Sequence, residues 1–183
     1  MTGAEDRRRI LDYARRAVAH AVRERRPDPS PPLEGVFARP CGLFVTLRSA
    51  ADGALRGCIG RLHAGGPLGE TLAAVAHSSA REDPRFPPVA ERELAGLDVE
   101  VSLLGEFREC ADPLRELRVG EHGVRLRSGE RSGILLPQVA GEQGWDAAAF
   151  LDGVCRKAGL PSGAWRDPAA RVDLFTAEVI SGA

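Results

Sequence analysis

Proline sets the outer limits of regular structure in this chain. Pro27, Pro29, Pro31 and Pro32 close the first segment, Pro67 follows Gly65-Gly66, and Pro84, Pro87 and Pro88 crowd the stretch after Asp83. Each proline fixes its own φ and pushes the preceding residue out of the helical region, so no helix runs through these points. The segments between them carry two periodicities. Ile10, Ala14, Ala17, Val18 and Ala21 recur at helical spacing, as do Leu68, Leu72, Val75 and Ser79, and later Leu151, Val154, Cys155 and Ala158. Leu43, Val45 and Leu47 alternate with period 2, and so do Leu97, Val99, Val101 and Leu103.

These patterns predict a first helix, opened by a Thr2-Gly3-Ala4-Glu5 capping box and ended by Arg26. A hairpin is predicted over Gly42 to Arg61, turning at Ser49 to Gly53. A second helix starts at Leu68 behind Pro67 and stops before Asp83-Pro84. Short helices are expected near Ala90–Leu94 and Asp112–Leu117, strands near Leu97–Leu103, Val124–Arg127 and Gly133–Leu136, and a helix from Trp145 to Ala158 with Gly159 as its cap. Residues 137–144 read as a loop, and a last strand spans Arg171 to Ile180. Hairpins beside separate helices, without regular βαβ alternation, predict an α+β fold: an antiparallel-rich sheet with flanking helices. The whole of 1–183 reads as a single domain, with an N-terminal helix in 1–26 and a Pro-rich linker over 27–34.

Composition narrows the function classes. At 183 residues and 43% hydrophobic, the chain has enough apolar material for its own core and too much to be disordered. No run approaches the roughly 18 apolar residues of a membrane span. The charged start MTGAEDRRR lacks the apolar stretch of a secretion signal, so the expectation is a soluble, cytoplasmic protein. Lys157 is the one lysine among 25 basic residues, and 26 acids cancel them. That balance, with only six Phe, two Trp and one Tyr, disfavours nucleic-acid binding. Cys41, Cys58, Cys110 and Cys155 form no CxxC, and His20, His63, His77 and His122 form no HExxH. Free thiols, no metal and no cofactor are the expectation.

Arg56-Gly57-Cys58-Ile59-Gly60-Arg61 is the most unusual stretch. Glycine weakens a strand interior and marks the close approach of a ligand or of another backbone. Two readings follow. In one, Cys58 is a candidate catalytic thiol in a cleft, with Arg56 on the same strand face and little bulk from Gly57 and Gly60. A guanidinium there favours the reactive thiolate. In the other, the glycines admit a neighbouring element and the cysteine is inert. Asp83-Pro84-Arg85-Phe86-Pro87-Pro88 is a stiffened turn that either presents Arg85 and Phe86 to a ligand or pairs Arg85 with Asp83. Gln138, after Leu136-Pro137, is a further candidate ligand contact, and His77 and His122 are possible bases for Cys58. Arg56, Cys58 and Arg85 are expected around one concave site.

Taken together these blocks have a recognisable order: Cys41-Gly42-Leu43-Phe44-Val45-Thr46-Leu47, Leu55-Arg56-Gly57-Cys58-Ile59-Gly60, Asp83-Pro84-Arg85-Phe86-Pro87-Pro88, Val119-Gly120-Glu121-His122-Gly123, Leu135-Leu136-Pro137-Gln138-Val139 and Cys155-Arg156-Lys157-Ala158-Gly159-Leu160. In them the chain resembles the AMMECR domain family over nearly its whole length, with the LRGCIG hexapeptide as the signature. It looks like the bacterial branch, the protein A group of the AmmeMemoRadiSam system. The resemblance implies an α+β domain of a larger and a smaller subdomain, with the signature near the cleft between them. It implies radical SAM and Memo-like proteins as partners, and it implies no settled reaction. Two functional classes therefore stand side by side. One is an enzyme or small-molecule-binding protein using Cys58, and the other is a non-catalytic adaptor.

Overall fold

The computed structural model describes residues 2–182. The described residues divide into two compact units, one made of residues 2–104 and 178–182 and the other of residues 105–177. Both combine antiparallel strands with helices, as the α+β expectation requires.

The first unit contains helix α1 (Ala4–Glu24), strands β1 (Leu43–Ser49) and β2 (Leu55–Arg61), helix α2 (Leu68–Arg81) and strand β3 (Leu97–Leu104). The strands pair antiparallel, with β1 between β2 and β3. Leu43, Val45 and Leu47 are completely buried, and Val99, Val101 and Leu103 of β3 continue that apolar face. Against it lie Ile10, Ala14, Ala17 and Val18 of α1 with Leu68, Leu72 and Val75 of α2. Small alanines on both helices suit the close packing of two helices on one short sheet.

Local sequence rules decide most boundaries here. α2 begins directly after Pro67 and ends at Arg81, two residues before Asp83, and the hairpin turn carries Gly53 at φ +71°. The expected capping box does not form: α1 is capped by Gly3 without a side-chain bond. Thr2 instead donates from both its amide and its hydroxyl to Glu178, which also receives the Arg7 guanidinium. Burial pushes the Glu178 carboxyl upward, but these bonds outweigh it and hold the group below its ordinary value.

The second unit holds β4 (Arg108–Cys110), α3 (Pro113–Glu116), β5 (His122–Ser128), β6 (Arg131–Leu135), α4 (Pro137–Gln143), α5 (Ala147–Lys157) and most of β7 (Arg171–Ser181). β7 lies between β4 and β5, and β6 pairs on the far side of β5. Phe150, Leu151, Val154 and Cys155 of α5 bury themselves against Val124, Leu126 and Leu174. Three details differ from the sequence expectation. β4 is a strand that the pattern does not announce. Residues 137–143 form a helix where a loop is expected. α5 starts at Ala147, because the Asp146 side chain accepts the Ala149 amide at 2.8 Å and caps it there. No helix among the described residues is long and apolar enough to cross a membrane.

Candidate functional site

β2 lies at an edge of the β2-β1-β3 arrangement, so among the described residues one side of its backbone has no neighbouring strand. Unpaired edges invite another chain and are usually blocked. Here the blocking groups come from the turn after α2. The Cys58 amide donates to Asp83 Oδ2 at 2.8 Å, and the Arg85 guanidinium donates to the Cys58 carbonyl at 3.0 Å. Asp83 and Arg85 are joined to each other by Nε to Oδ1 at 2.9 Å and by Nη2 to Oδ2 at 2.6 Å. The pair thus serves Cys58 as a strand would, with one acceptor and one donor. Of the two readings of the turn, the geometry found is the pairing of Arg85 with Asp83.

The electrostatics follow. Asp83 is 3% exposed in its side chain, and Arg85 is 47% exposed. The Arg85 hydrogen bonds hold the Asp83 carboxyl far below the usual carboxylate range, against the upward push of burial, with the Cys58 amide adding to the effect. Arg85 is raised in turn, by Asp83 first and also by the side chain of Cys58. Its guanidinium lies 5.4 Å from the centroid of the half-buried Phe86 ring.

Arg56 is reached by a different route. Leu47 pairs with Gly57 but Arg48 pairs with Leu55, so Arg56 is the extra residue of a β-bulge. The bulge breaks the period-2 argument that would set Arg56 beside Cys58. Its guanidinium donates to Glu93 Oε1 at 2.7 Å and Oε2 at 3.2 Å, and to the Pro87 carbonyl at 2.9 Å. Arg56 holds the Glu93 carboxyl below its ordinary value, and Glu93 also accepts the Ala90 amide. Arg56 and Arg85 are therefore both committed to carboxylates.

The two glycines have packing explanations. A Cβ on Gly57 would sit 2.3 Å from the Ser79 carbonyl oxygen, so the absence of a side chain lets α2 lie directly on the strand. This approach brings the Ser79 hydroxyl into the ladder. It donates to the Val45 carbonyl at 2.9 Å and accepts the Ile59 amide at 3.1 Å, and Val45 and Ile59 are register partners. A Cβ on Gly60 would collide with the Phe44 ring across the strand pair. The space beside each glycine is filled by protein.

Cys58 itself remains half-buried, and its Sγ lies 3.4 Å from the Thr46 hydroxyl across the strand pair. Thr46 is nearly buried. Thr46, Ser79 and Glu93 all belong to this assembly and were not among the expected site residues. A polar residue inside an alternating strand, or on an apolar helical stripe, was the signal available for the first two.

The remaining candidates stand elsewhere. Gln138 lies in the first turn of α4 in the second unit, and its buried Oε1 has no partner among the described residues. His77 lies 3.6 Å from Glu82, and His122 heads β5, where its Nδ1 accepts the Arg118 amide at 3.2 Å. His122 is half-buried at the start of that strand. Cys41, Cys110 and Cys155 are free thiols like Cys58. Burial raises all three, Cys110 to about 11 with the nearby Glu116 adding to the effect.

Comparison with known proteins agrees in sequence and in fold. A protein of Methanopyrus kandleri, MK0488, is 38% identical over 176 residues, covering 93% of this chain and 85% of its own. TK0174 of Thermococcus kodakarensis is 43% identical over 180 residues, covering 93% and 87%. The crystal structure of the uncharacterized protein PH0010 from Pyrococcus horikoshii superposes with a TM-score of 0.86 at 39% identity, over 93% of this chain and 88% of that one. The AMMECR1 family model matches residues 11–180. With the signature strand, the turn that clamps it and both units inside that span, the chain belongs to the AMMECR1 family.

Proposed function

We propose that Cys58 is the working thiol of an enzyme or small-molecule-binding protein. The observation that carries this reading is the clamp. Asp83 and Arg85 occupy both backbone groups of Cys58, which leaves the thiol on a rigid support. A group fixed in this way loses little freedom on meeting a ligand. The half-exposed Arg85, with Phe86 beside it, supplies an anion contact and an apolar wall. Arg56, Asp83, Gly57 and Gly60 hold the shape of the site. Gln138 offers an amide oxygen to a ligand of the second unit. In the same proposal the chain acts in the cytoplasm beside radical SAM and Memo-like proteins, as its resemblance to the bacterial protein A group implies.

Alkylation of the native protein with iodoacetamide, mapped by mass spectrometry across pH, tests the reading. Cys58 is expected to react ahead of Cys41, which is also half-buried, and Cys58→Ser removes that fast phase. Equal rates at neutral pH would overturn it. A second reading, a partner-binding module without chemistry of its own, is favoured by one observation. Arg56 and Arg85 each face a carboxylate, so neither is an uncompensated cation for a thiolate. Equal rates would leave that module as the function.

A further inference from the structure

We propose that the second unit carries a binding site for a small zwitterion of the α-amino acid type, in a cleft of about 400 Å³ between β4 and the segment that precedes β7. This volume suits a small molecule. Trp165 and Val172, both buried, form part of its lining. The indole is fixed: its Nε1 donates to Asp152 Oδ1 at 2.9 Å, and the same oxygen accepts the Gly163 amide at 2.8 Å. The Arg166 guanidinium carbon lies 3.8 Å from the Trp165 ring centroid. A guanidinium held on an aromatic face is pre-oriented for a carboxylate.

The charges around the cleft determine what it would take. Glu109 is satisfied by Arg171 at 2.7 Å. Asp167 turns back to accept the Ala169 amide at 2.8 Å. That bond fixes the Asp167 carboxylate without cancelling its charge, and two further charged side chains of the lining are left over. Among the described residues, neither the Arg166 guanidinium nor the Asp112 carboxylate has a hydrogen-bond or ion-pair partner. The Asp112 amide is taken by Glu116 at 3.1 Å, which anchors the residue and leaves its carboxylate free. A simple anion entering this cleft would gain Arg166 and meet the repulsion of Asp112. A simple cation would meet the reverse. A ligand with a carboxylate at one end and an ammonium at the other satisfies both, and removes two unpaired charges at once.

The test uses the full chain labelled with nitrogen-15. The reporter is the Trp165 indole N–H, which lies beneath Arg166. Each protein amino acid is added in turn to about 10 mM, the range where weak small-ligand binding saturates, with acetate and methylammonium as single-charge controls. At least one amino acid is expected to move the Trp165 signal along a saturable curve, and neither control to do so. Arg166→Gln and Asp112→Asn are each expected to weaken binding about tenfold or more, as for loss of a charged hydrogen bond. Should Arg166→Gln unsettle the stack on Trp165, Arg166→Lys keeps the charge, loses the planar fork and is expected to bind several-fold more weakly. The proposal is overturned if no amino acid saturates the signal, if acetate binds as well as the best amino acid, or if Asp112→Asn leaves affinity unchanged.

Discussion

The Cys58 amide donates to the Asp83 carboxylate at 2.8 Å, across 25 positions of sequence. With Arg85 on the Cys58 carbonyl, one ion pair occupies both free backbone groups of an edge-strand residue. The signature hexapeptide and the Asp83-Pro84-Arg85-Phe86 turn are two halves of one device. Its first effect is to close the edge of β2, and its second is to fix the strand position from which the thiol projects.

Replacing Asp83 by Asn removes the charge that Arg85 and the Cys58 amide both use. A buried acceptor in a charged network costs about 2 kcal/mol when disabled. Chemical denaturation is expected to show a loss of that order, and hydrogen exchange at the Cys58 amide should accelerate. Unchanged exchange there would mean that the bond does not protect the edge.

Acid should unfold the protein partly through the same group. The Asp83 carboxyl is held far below its ordinary value by Arg85, so the folded state gives up this proton more readily than the unfolded chain does. Its contribution to stability is complete above the unfolded value of about 3.9, shrinks as pH falls below that, and is lost once pH passes the folded value. Glu93, lowered by Arg56, works in the same direction. Melting temperature should therefore fall as pH drops below about 4. The fall should be shallower in Asp83→Asn, and curves that run parallel would contradict the assignment.

Alanine at the two signature glycines should have unequal effects. At Gly57 the new methyl meets the Ser79 backbone, which can yield only if α2 moves, so a loss of about 2–3 kcal/mol is expected. At Gly60 it meets the half-buried Phe44 ring, a side chain that can turn aside, and the loss should be smaller. Thermal unfolding of the two variants measures the order directly.

Ser79→Ala should cost about 1 kcal/mol, because the Ile59 amide loses its acceptor and the Val45 carbonyl a donor inside the ladder. Ser79→Thr keeps the hydroxyl but brings a methyl group into the tight contact at Gly57, and it should rescue only in part. Urea titration of the pair separates the lost bond from simple packing.

The thiols should differ in reactivity. Cys110, pushed up to about 11 by burial and Glu116, and Cys155, raised by burial, are expected to react only on unfolding. Timed alkylation at pH near 8 followed by peptide mapping would show it. Early labelling of Cys110 would indicate that β4 opens in the native protein.

Much of this architecture is legible in the sequence because helices and strands are encoded locally. Alternation at Leu43, Val45 and Leu47, the helical stripe from Leu68 to Ser79, and the proline and glycine punctuation around them each act over a few residues. α4 escapes that logic. Within Pro137–Gln143 only Pro137 and Ala140 are buried, too few for an apolar stripe. β4 is three residues long and exists through its pairing with β7.

What the linear order does not contain is partner choice. Period 2 sets Arg56 beside Cys58, but a bulge makes Arg56 the odd residue and Glu93 takes its guanidinium. Thr2 looks like a helix cap and bonds to Glu178 instead. The glycines at 57 and 60 mark a close approach, and only the packed chain decides that the Ser79 backbone and the Phe44 ring, rather than a ligand, fill the space. A hydrogen-bonding group takes the partner that tertiary packing brings within about 3 Å, and sequence separation does not enter that distance. The sequence by itself therefore determined most of the elements, though not α4 or β4, and which residues are unusual. The tertiary structure decided which of those residues meet and which charges cancel.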